Sequence, residues 1–432
     1  MSLQSLMHIQ TTGDGILQRR SFLRTMAAGA VGLGTLGWKD NVALHADEMR
    51  KNGMACILLF MRGGPSQFET FDPKPGVTNG GPTKAISTAA SGIQIAEGWT
   101  EIAKRMKDIA LIRSMNNKEG QHERAAFQLH TGYVPSGTVK YPALGSIVAS
   151  ELGPRNFDLP NFVSIGGRGA GIGSGFLGMQ VAPFVVANAN QMPNNVALPG
   201  AVNTQRFNRR LGLLSSMEEE FAEAGGGSRI EDHKNLYASA AQMVLSPRIK
   251  AFDLSQEKPE VRDRYGRTPF GQGCLLARRL VEQGVTFVEV DLNGWDTHDD
   301  NFNRVKKLSG TADPAWATLI SDLKERGMLD RTLVIWMGEF GRTPKINPRT
   351  GRDHYPRAFN AAVAGAGIKG GQVIGATSPD GADVKDRPVT VPDLFCSFYK
   401  ALKINPRKEN MSGLGRPIKL MDKGEAVKEL FV

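Results

Sequence analysis

The strongest constraint on this chain is a set of largely apolar runs of strand length, the first of them unbroken and most of them flanked by a polar loop. Met54–Phe60 is apolar throughout and stops at Gly63-Gly64-Pro65. Ile109–Ile112, Phe162–Ile165, Val285–Val290, Thr332–Met337 and Phe359–Ala364 are further runs of this length, mostly apolar. A strand with one wet face alternates polar and apolar residues. An unbroken run calls for burial on both faces, as in a parallel sheet covered by helices. Segments with helical spacing fall between the runs: Trp99–Lys107, Glu123–His130, Ala143–Glu151, Thr204–Ala224, Ile230–Leu245, Phe270–Gln283, Pro314–Arg326 and Pro392–Leu402. The alternation predicts an α/β fold with a central, mostly parallel sheet between helical layers. Residues 204–283 read as a helical insertion, with a flexible break at Gly225–Ser228. A hydrophobic content of 41% can fill such a core, and 3 Cys are too few for a disulfide scaffold or a cysteine-built zinc cluster.

The N-terminus reads as an address. Gln18-Arg19-Arg20-Ser21-Phe22-Leu23-Arg24 precedes a weakly apolar stretch, Met26–Gly37. That stretch is well short of the roughly 20 residues that span a bilayer as a helix. The order of motif and apolar stretch predicts a twin-arginine signal peptide over 1–46, cleaved after Ala46, and a single domain over 47–432. The alternative is a short amphipathic helix with a chance arginine pair. On the signal reading the mature protein is exported, periplasmic or extracytoplasmic, with no stable membrane insertion. The formal net charge is +10, which raises nucleic acid as a partner. The basic residues are spread along the chain with no interleaved aromatic stack, and this points away from a specific nucleic-acid site.

Open α/β sheets bind ligands at the carboxyl ends of their strands. That rule selects a few loops: Arg62 to Asp72, Asp291 to Asp300, Gly338 to Pro344, and Gly351 to Pro356 ahead of the last run. Asp296 and His298, with Asp291 nearby, form the most ligand-like group, since carboxylates with a neutral imidazole suit a divalent ion. Asp-rich loops also serve as turns and caps, and both readings stand. His122 and His130 lie about 12 Å apart along one helix and cannot share an ion while it is intact. Arg62, Arg124, Arg342 and Arg352 beside these loops suit an anionic ester, or serve as ordinary loop caps. Ser66 is a candidate nucleophile without the Gly-x-Ser-x-Gly elbow, or a loop hydrogen-bonding group.

Five motifs in order carry a family resemblance: residues 63–75, His122-Glu-Arg-Ala125 with His130-Thr-Gly-Tyr133, Gly294-Trp-Asp-Thr-His298, Gly338 to Pro344, and Gly351 to Pro356. Together they resemble an exported bacterial family, domain of unknown function fifteen-oh-one, which looks like a distant branch of the sulfatase and alkaline phosphatase superfamily. The resemblance implies an alkaline-phosphatase-like fold with a metal site at strand ends. Thr332 to Gly341 is similar to the sulfatase strand ending in a Ser-Asp-His-Gly-like turn, with Glu339 at the Asp position and Phe340 at the His position. Arg124 to Pro135 resembles the sulfatase helix that ends Thr-Gly-x-x-Pro. His354 is similar to the late His of phosphatases. The sulfatase residue that becomes formylglycine has no counterpart, Cys274 reads as core, and Gln67 and Glu69 stand where relatives often carry His and Asp. The resemblance implies a metal-dependent hydrolase of phosphate or sulfate esters with a small anionic substrate. Asp291, Asp296, His298, Glu339 and His354 are its metal ligands (Zn, Mn or Ca), and Arg62, Ser66, His122, Arg124 and Arg342 its catalytic groups. The alternative is an exported binding or scaffold protein on the same fold that has lost catalysis. Oligomeric state is open.

Overall fold

The computed structural model describes residues 53–431 except 155, 156, 168–171, 199, 201 and 222–227. The expected signal peptide and most of the Gly225–Ser228 break lie outside the described residues.

A nine-stranded sheet forms the centre of the domain. In chain order its strands are β1 (Ala55–Arg62), β2 (Ile109–Asn116), β3 (Phe162–Ile165), β4 (Phe184–Val186), β5 (Phe287–Asn293), β6 (Thr332–Met337), β7 (Phe359–Ala364), β8 (Gln372–Ile374) and β9 (Val389–Thr390). They pair in the order β8-β2-β7-β6-β1-β5-β3-β4, with β9 beside β2. Only β7 is antiparallel to its neighbours, β2 and β6; the other pairs are parallel. The six apolar runs are all strands of this sheet. The short strands β4, β8 and β9 were not legible, because two or three residues carry no period.

β1 shows why its run is continuous. Ala55, Ile57, Leu59 and Met61 face one core; Cys56, Leu58 and Phe60 face the other. The first core is covered by α1 (Thr100–Arg105), α6 (Pro269–Glu282) and α7 (Asn301–Glu325), and the second by α2 (His122–Thr131), α3 (Leu144–Leu152) and α8 (Val391–Ala401). The remaining long helices, α4 (Thr204–Phe221) and α5 (Ser228–Leu245), lie between β4 and α6 in the chain. Among the described residues no helix is long and apolar enough to cross a membrane.

One expected boundary is corrected. Pro314 was read as a helix start, yet α7 begins at Asn301 and runs through it. An interior proline costs roughly 3 kcal/mol. Its neighbours offset that cost: Ala312, Ala315 and Trp316 are buried, and the buried Asp313 carboxylate accepts hydrogen bonds from the Glu101 and Ile102 amides at 2.8 and 2.7 Å, closing the open end of α1.

Because β1, β2, β5 and β6 run the same way, their carboxyl ends share one edge of the sheet. β7 runs against them, so it starts at that edge. The loops after β1, β5 and β6, the start of α2 after β2 and the segment ahead of β7 therefore converge.

Candidate metal centre

The backbone at this edge is shaped by two glycines after β1. Gly63 has φ +114°, and a Cβ there would stand 2.4 Å from the Asp296 amide nitrogen; one on Gly64, at φ +76°, would stand 2.6 Å from the Phe340 ring. Only glycine permits both the conformation and the approach. Trp295, fully buried and stacked at 6.4 Å on Trp99, anchors the residue before Asp296.

Asp296 is the hub. Its Oδ1 lies 3.1 Å from His298 Nε2, 3.3 Å from His354 Nε2 and 3.4 Å from His122 Nε2. His298 Nε2 and His354 Nε2 are 2.9 Å apart. The ligand atoms of His122, Asp296 and His354 all lie within 4.8 Å of one another. The other nitrogen of each ring is committed. His354 Nδ1 is 2.8 Å from the Gly120 carbonyl, His298 Nδ1 2.8 Å from the Asp353 carboxylate, and His122 Nδ1 2.8 Å from Glu339. A carbonyl or carboxylate oxygen only accepts, so each Nδ1 carries a proton, and when a ring is neutral its bare Nε2 lone pair is turned toward Asp296. With all three rings neutral, three lone pairs and a carboxylate face one another with no proton between them. That arrangement suits a cation. Tetrahedral ligands at about 2.0–2.1 Å from zinc stand about 3.3 Å apart, close to the spacings here. His122 Nε2 and Glu339 Oε2 are buried without a hydrogen bond, which also fits an ion.

The surroundings hold this arrangement. Arg342 is fully buried and donates to Asp296 at 2.6 Å, to the Gly64 carbonyl at 2.9 Å, to the Arg352 carbonyl at 3.1 Å and to the Gly63 carbonyl. Gln67 pairs with the Arg342 peptide group, donating to its carbonyl at 2.8 Å and accepting from its amide at 2.9 Å. Arg352, also fully buried, donates to Glu69 at 2.9 Å and packs 4.3 Å from the Phe68 ring centre. Glu69 also accepts from Asn301 at 2.9 Å, so the β1 loop is tied to the loops that carry His298 and His354. Gly63 donates its amide to Glu339 at 2.8 Å. Phe340 covers the rings of His122 and His354, at 4.9 and 4.6 Å.

Charge follows geometry. Burial opposes ionisation of Asp296, but the Arg342 hydrogen bond, the Arg342 charge and the His122 and His298 imidazoles outweigh it and hold the carboxyl down to about 2. The hydrogen bond to Glu339 raises His122 against the effect of burial. Burial, with the charges of Arg342 and His122, lowers His354 in spite of its bond to Gly120.

The structure thus brings His122, Asp296, His298, Glu339, Arg342 and His354 together, and it leaves other expected residues apart. Arg342 cannot meet a substrate anion, because its guanidinium is enclosed and committed to carbonyls and to Asp296. Arg124 points away into an exposed pair with Glu119, at 2.8 and 2.9 Å. Ser66 is fully enclosed, its Oγ without a partner, and no ester can reach it. Asp291 is not in the cluster: it binds Arg62 at 3.1 Å, its Oδ2 unpaired, and Arg62 keeps its side chain 27% exposed. Burial and the Glu289 carboxylate push Asp291 up to about 7, against the pull of Arg62. Further in, His130 Nε2 lies 3.2 Å from Glu289 and its Nδ1 donates to the Ala126 carbonyl at 2.7 Å. Asp353 and Gly120, which fix two imidazoles, were missed. Asp353 stands directly before His354, and an acid beside a ligand-type histidine was the available signal.

Solved structures that resemble the chain include the lipoteichoic acid synthase from Listeria monocytogenes (9% identity, 82% of this chain and 73% of that one, TM-score 0.37). A sulfatase from Pseudoalteromonas matches at 12% identity over 83% of this chain and 71% of its own, TM-score 0.35. A phosphonate monoester hydrolase of Agrobacterium radiobacter matches at 11% identity over 87% and 77%, TM-score 0.35. Likenesses this weak carry no argument about chemistry. No curated protein matches the chain. Residues 54–431 match the family described as protein of unknown function (DUF1501), and the chain belongs to that family.

Proposed function

We propose that this protein is an exported, metal-dependent hydrolase of phosphate or sulfate esters. The observation that carries the reading is the set of three imidazoles, each with its Nδ1 proton committed elsewhere and its Nε2 aimed at Asp296. His122, Asp296 and His354 would hold the ion, with His298 beside them as a fourth donor. This nitrogen-rich set suits Zn²⁺ or another borderline transition metal better than Ca²⁺, which takes oxygen ligands. Bound there, a divalent ion supplies Lewis acidity to an ester oxygen. The chain's own groups do the rest. Arg342 keeps Asp296 ionised and aimed. Glu339, Asp353 and the Gly120 carbonyl hold the ring protons on Nδ1. Phe340 shields two imidazoles from water. Arg62, partly exposed at this edge, is the group that would meet the anion. Export by the twin-arginine route belongs to the same reading and rests on residues 18–24.

A second reading has its own support. The enclosed Ser66 hydroxyl and the committed Arg342 remove the expected nucleophile and one expected anion contact, which favours a metal-holding binding protein. One experiment separates the two. Protein folded in the cytoplasm and purified is analysed for metal by mass spectrometry, then assayed on aryl phosphate, phosphonate and sulfate esters. Stoichiometric metal with turnover lost in His354→Ala supports the hydrolase. Metal without turnover supports the binding protein, and absence of metal rejects both.

A further inference from the structure

Arg62 differs from other arginines at the carboxyl edge in how little of it is used. Arg342 and Arg352 are fully buried and each donates to four acceptors. Arg62 donates once, from Nη2 to Asp291 Oδ1 at 3.1 Å, and its guanidinium lies 5.4 Å from the Phe60 ring centre. A guanidinium carries five N–H donors. Among the described residues no second acceptor takes one from Arg62, and its side chain is 27% exposed. Its backbone adjoins the ion cluster: the Arg62 carbonyl accepts from the Trp295 amide at 3.2 Å, next to Asp296.

Asp291 holds this guanidinium with one oxygen. Glu289 and Asp291 sit two residues apart on β5, opposite Leu58 and Phe60 of β1. Among the described residues, the charged groups that face Asp291 are Arg62 from β1, Glu289 from its own strand and His130 from α2, while β3 brings the uncharged Ser164. A Cβ on Gly167 would stand 2.3 Å from Asp291 Oδ2, so bare backbone closes that side. Oδ2 itself is buried without a hydrogen bond. A carboxylate oxygen buried with no donor favours taking a proton, and burial with the Glu289 charge pushes the Asp291 carboxyl up to about 7. With the proton on Oδ2, Oδ1 still accepts from Arg62 and the guanidinium keeps its whole charge. With the proton gone, carboxylate and guanidinium offset each other. Glu289 and His130, 3.2 Å apart, already offset each other.

We propose that Arg62 and Asp291 form an oxyanion-binding arm beside the ion cluster. Asp291 is its positioning residue: Oδ1 fixes the guanidinium, and the proton on Oδ2 sets how much positive charge the arm offers. The ligand is a tetrahedral oxyanion, the sulfate or phosphate group of an ester, and that identity rests on the function proposed above.

The probe is inorganic sulfate, which unlike phosphate does not titrate near neutrality. It is titrated into the purified protein by calorimetry at about pH 6 and about pH 8, either side of Asp291. The wild type binds it about 10-fold more tightly at the lower pH. Asp291→Asn keeps an Oδ1 acceptor and cannot ionise. It matches the wild type at the lower pH and binds about 10-fold more tightly than the wild type at the higher, a gain that misfolding cannot produce. Asp291→Ala weakens binding at both, and Arg62→Gln weakens it about 30-fold or more at the lower pH. Wild type that binds no sulfate, binding indifferent to Arg62→Gln, or Asp291→Asn equal to the wild type at both pH values overturns the inference. Ester turnover separates it from the hydrolase reading. Turnover unchanged in Arg62→Gln breaks the arm alone. Sulfate binding with the expected pattern but no turnover supports the arm while the hydrolase reading falls.

Discussion

Two groups of acids and bases stand near the carboxyl edge of the sheet, built from the same residue types. One is the cluster around Asp296; the other is His130, Glu289, Asp291 and Arg62. In the second group every imidazole or guanidinium has its own carboxylate. Glu289 and His130 hold each other in the charged state, with His130 raised and Glu289 lowered in spite of burial. In the first, three Nε2 atoms converge on the one carboxylate of Asp296, and each ring's Nδ1 proton is turned outward to Glu339, Asp353 or the Gly120 carbonyl. Residue types alone do not make a cation site. What matters is where the backbone directs the ring protons, and here a carbonyl, an Asp and a Glu do so.

The comparison breaks most sharply by removing a member of each group. His354→Ala or Asp296→Asn should lower metal affinity by about 100-fold or more, read by competition with a chelating dye. Glu289→Gln should leave metal content unchanged and lower stability by about 3–5 kcal/mol in urea unfolding, because a buried imidazolium loses its partner. Equal metal loss in both would erase the distinction.

Asp353→Asn probes the orienting partner alone. It should reduce metal affinity by about 10–100-fold without changing the unfolding midpoint of the metal-free protein. A still smaller effect is expected in the paired group. Asp291 is pushed up to about 7. The folded chain therefore holds that proton more tightly than the unfolded chain does. Stability from this group is fully present below about pH 4 and is lost as pH rises through about 7. Asp291→Asn should flatten the dependence of melting temperature on pH in that window; an unchanged slope would assign it to other groups. Arg124→Ala, at an exposed pair, should leave both metal affinity and melting temperature where they are.

Much of this was legible beforehand. Unbroken runs such as Leu333–Met337 announce two-faced burial, and the strand-end rule led to Asp296, His298, Glu339 and His354. The roles of the arginines were not legible. Arg342 and Arg352 look like anion clamps in the sequence, yet burial turns both guanidiniums onto backbone carbonyls and carboxylates, and nothing local encodes that. The pairing of Asp291 with Arg62 depends on register, since β1 sets Phe60 opposite Asp291. α7 ran past Pro314 because tertiary burial outweighed a local breaker.

The reversed strand β7 has a consequence for how the protein is made. His354 reaches the edge only when the segment ahead of β7 has been laid beside β6, while His122 comes from the first third of the chain. No nascent fragment lacking the last third can assemble the donor set, and the contacts that close it are among the most distant in sequence. On the proposed metal reading, uptake would thus report that the chain has been made and folded through β7. If the proposed twin-arginine export holds, that signal gives a translocase that accepts only folded cargo a checkpoint.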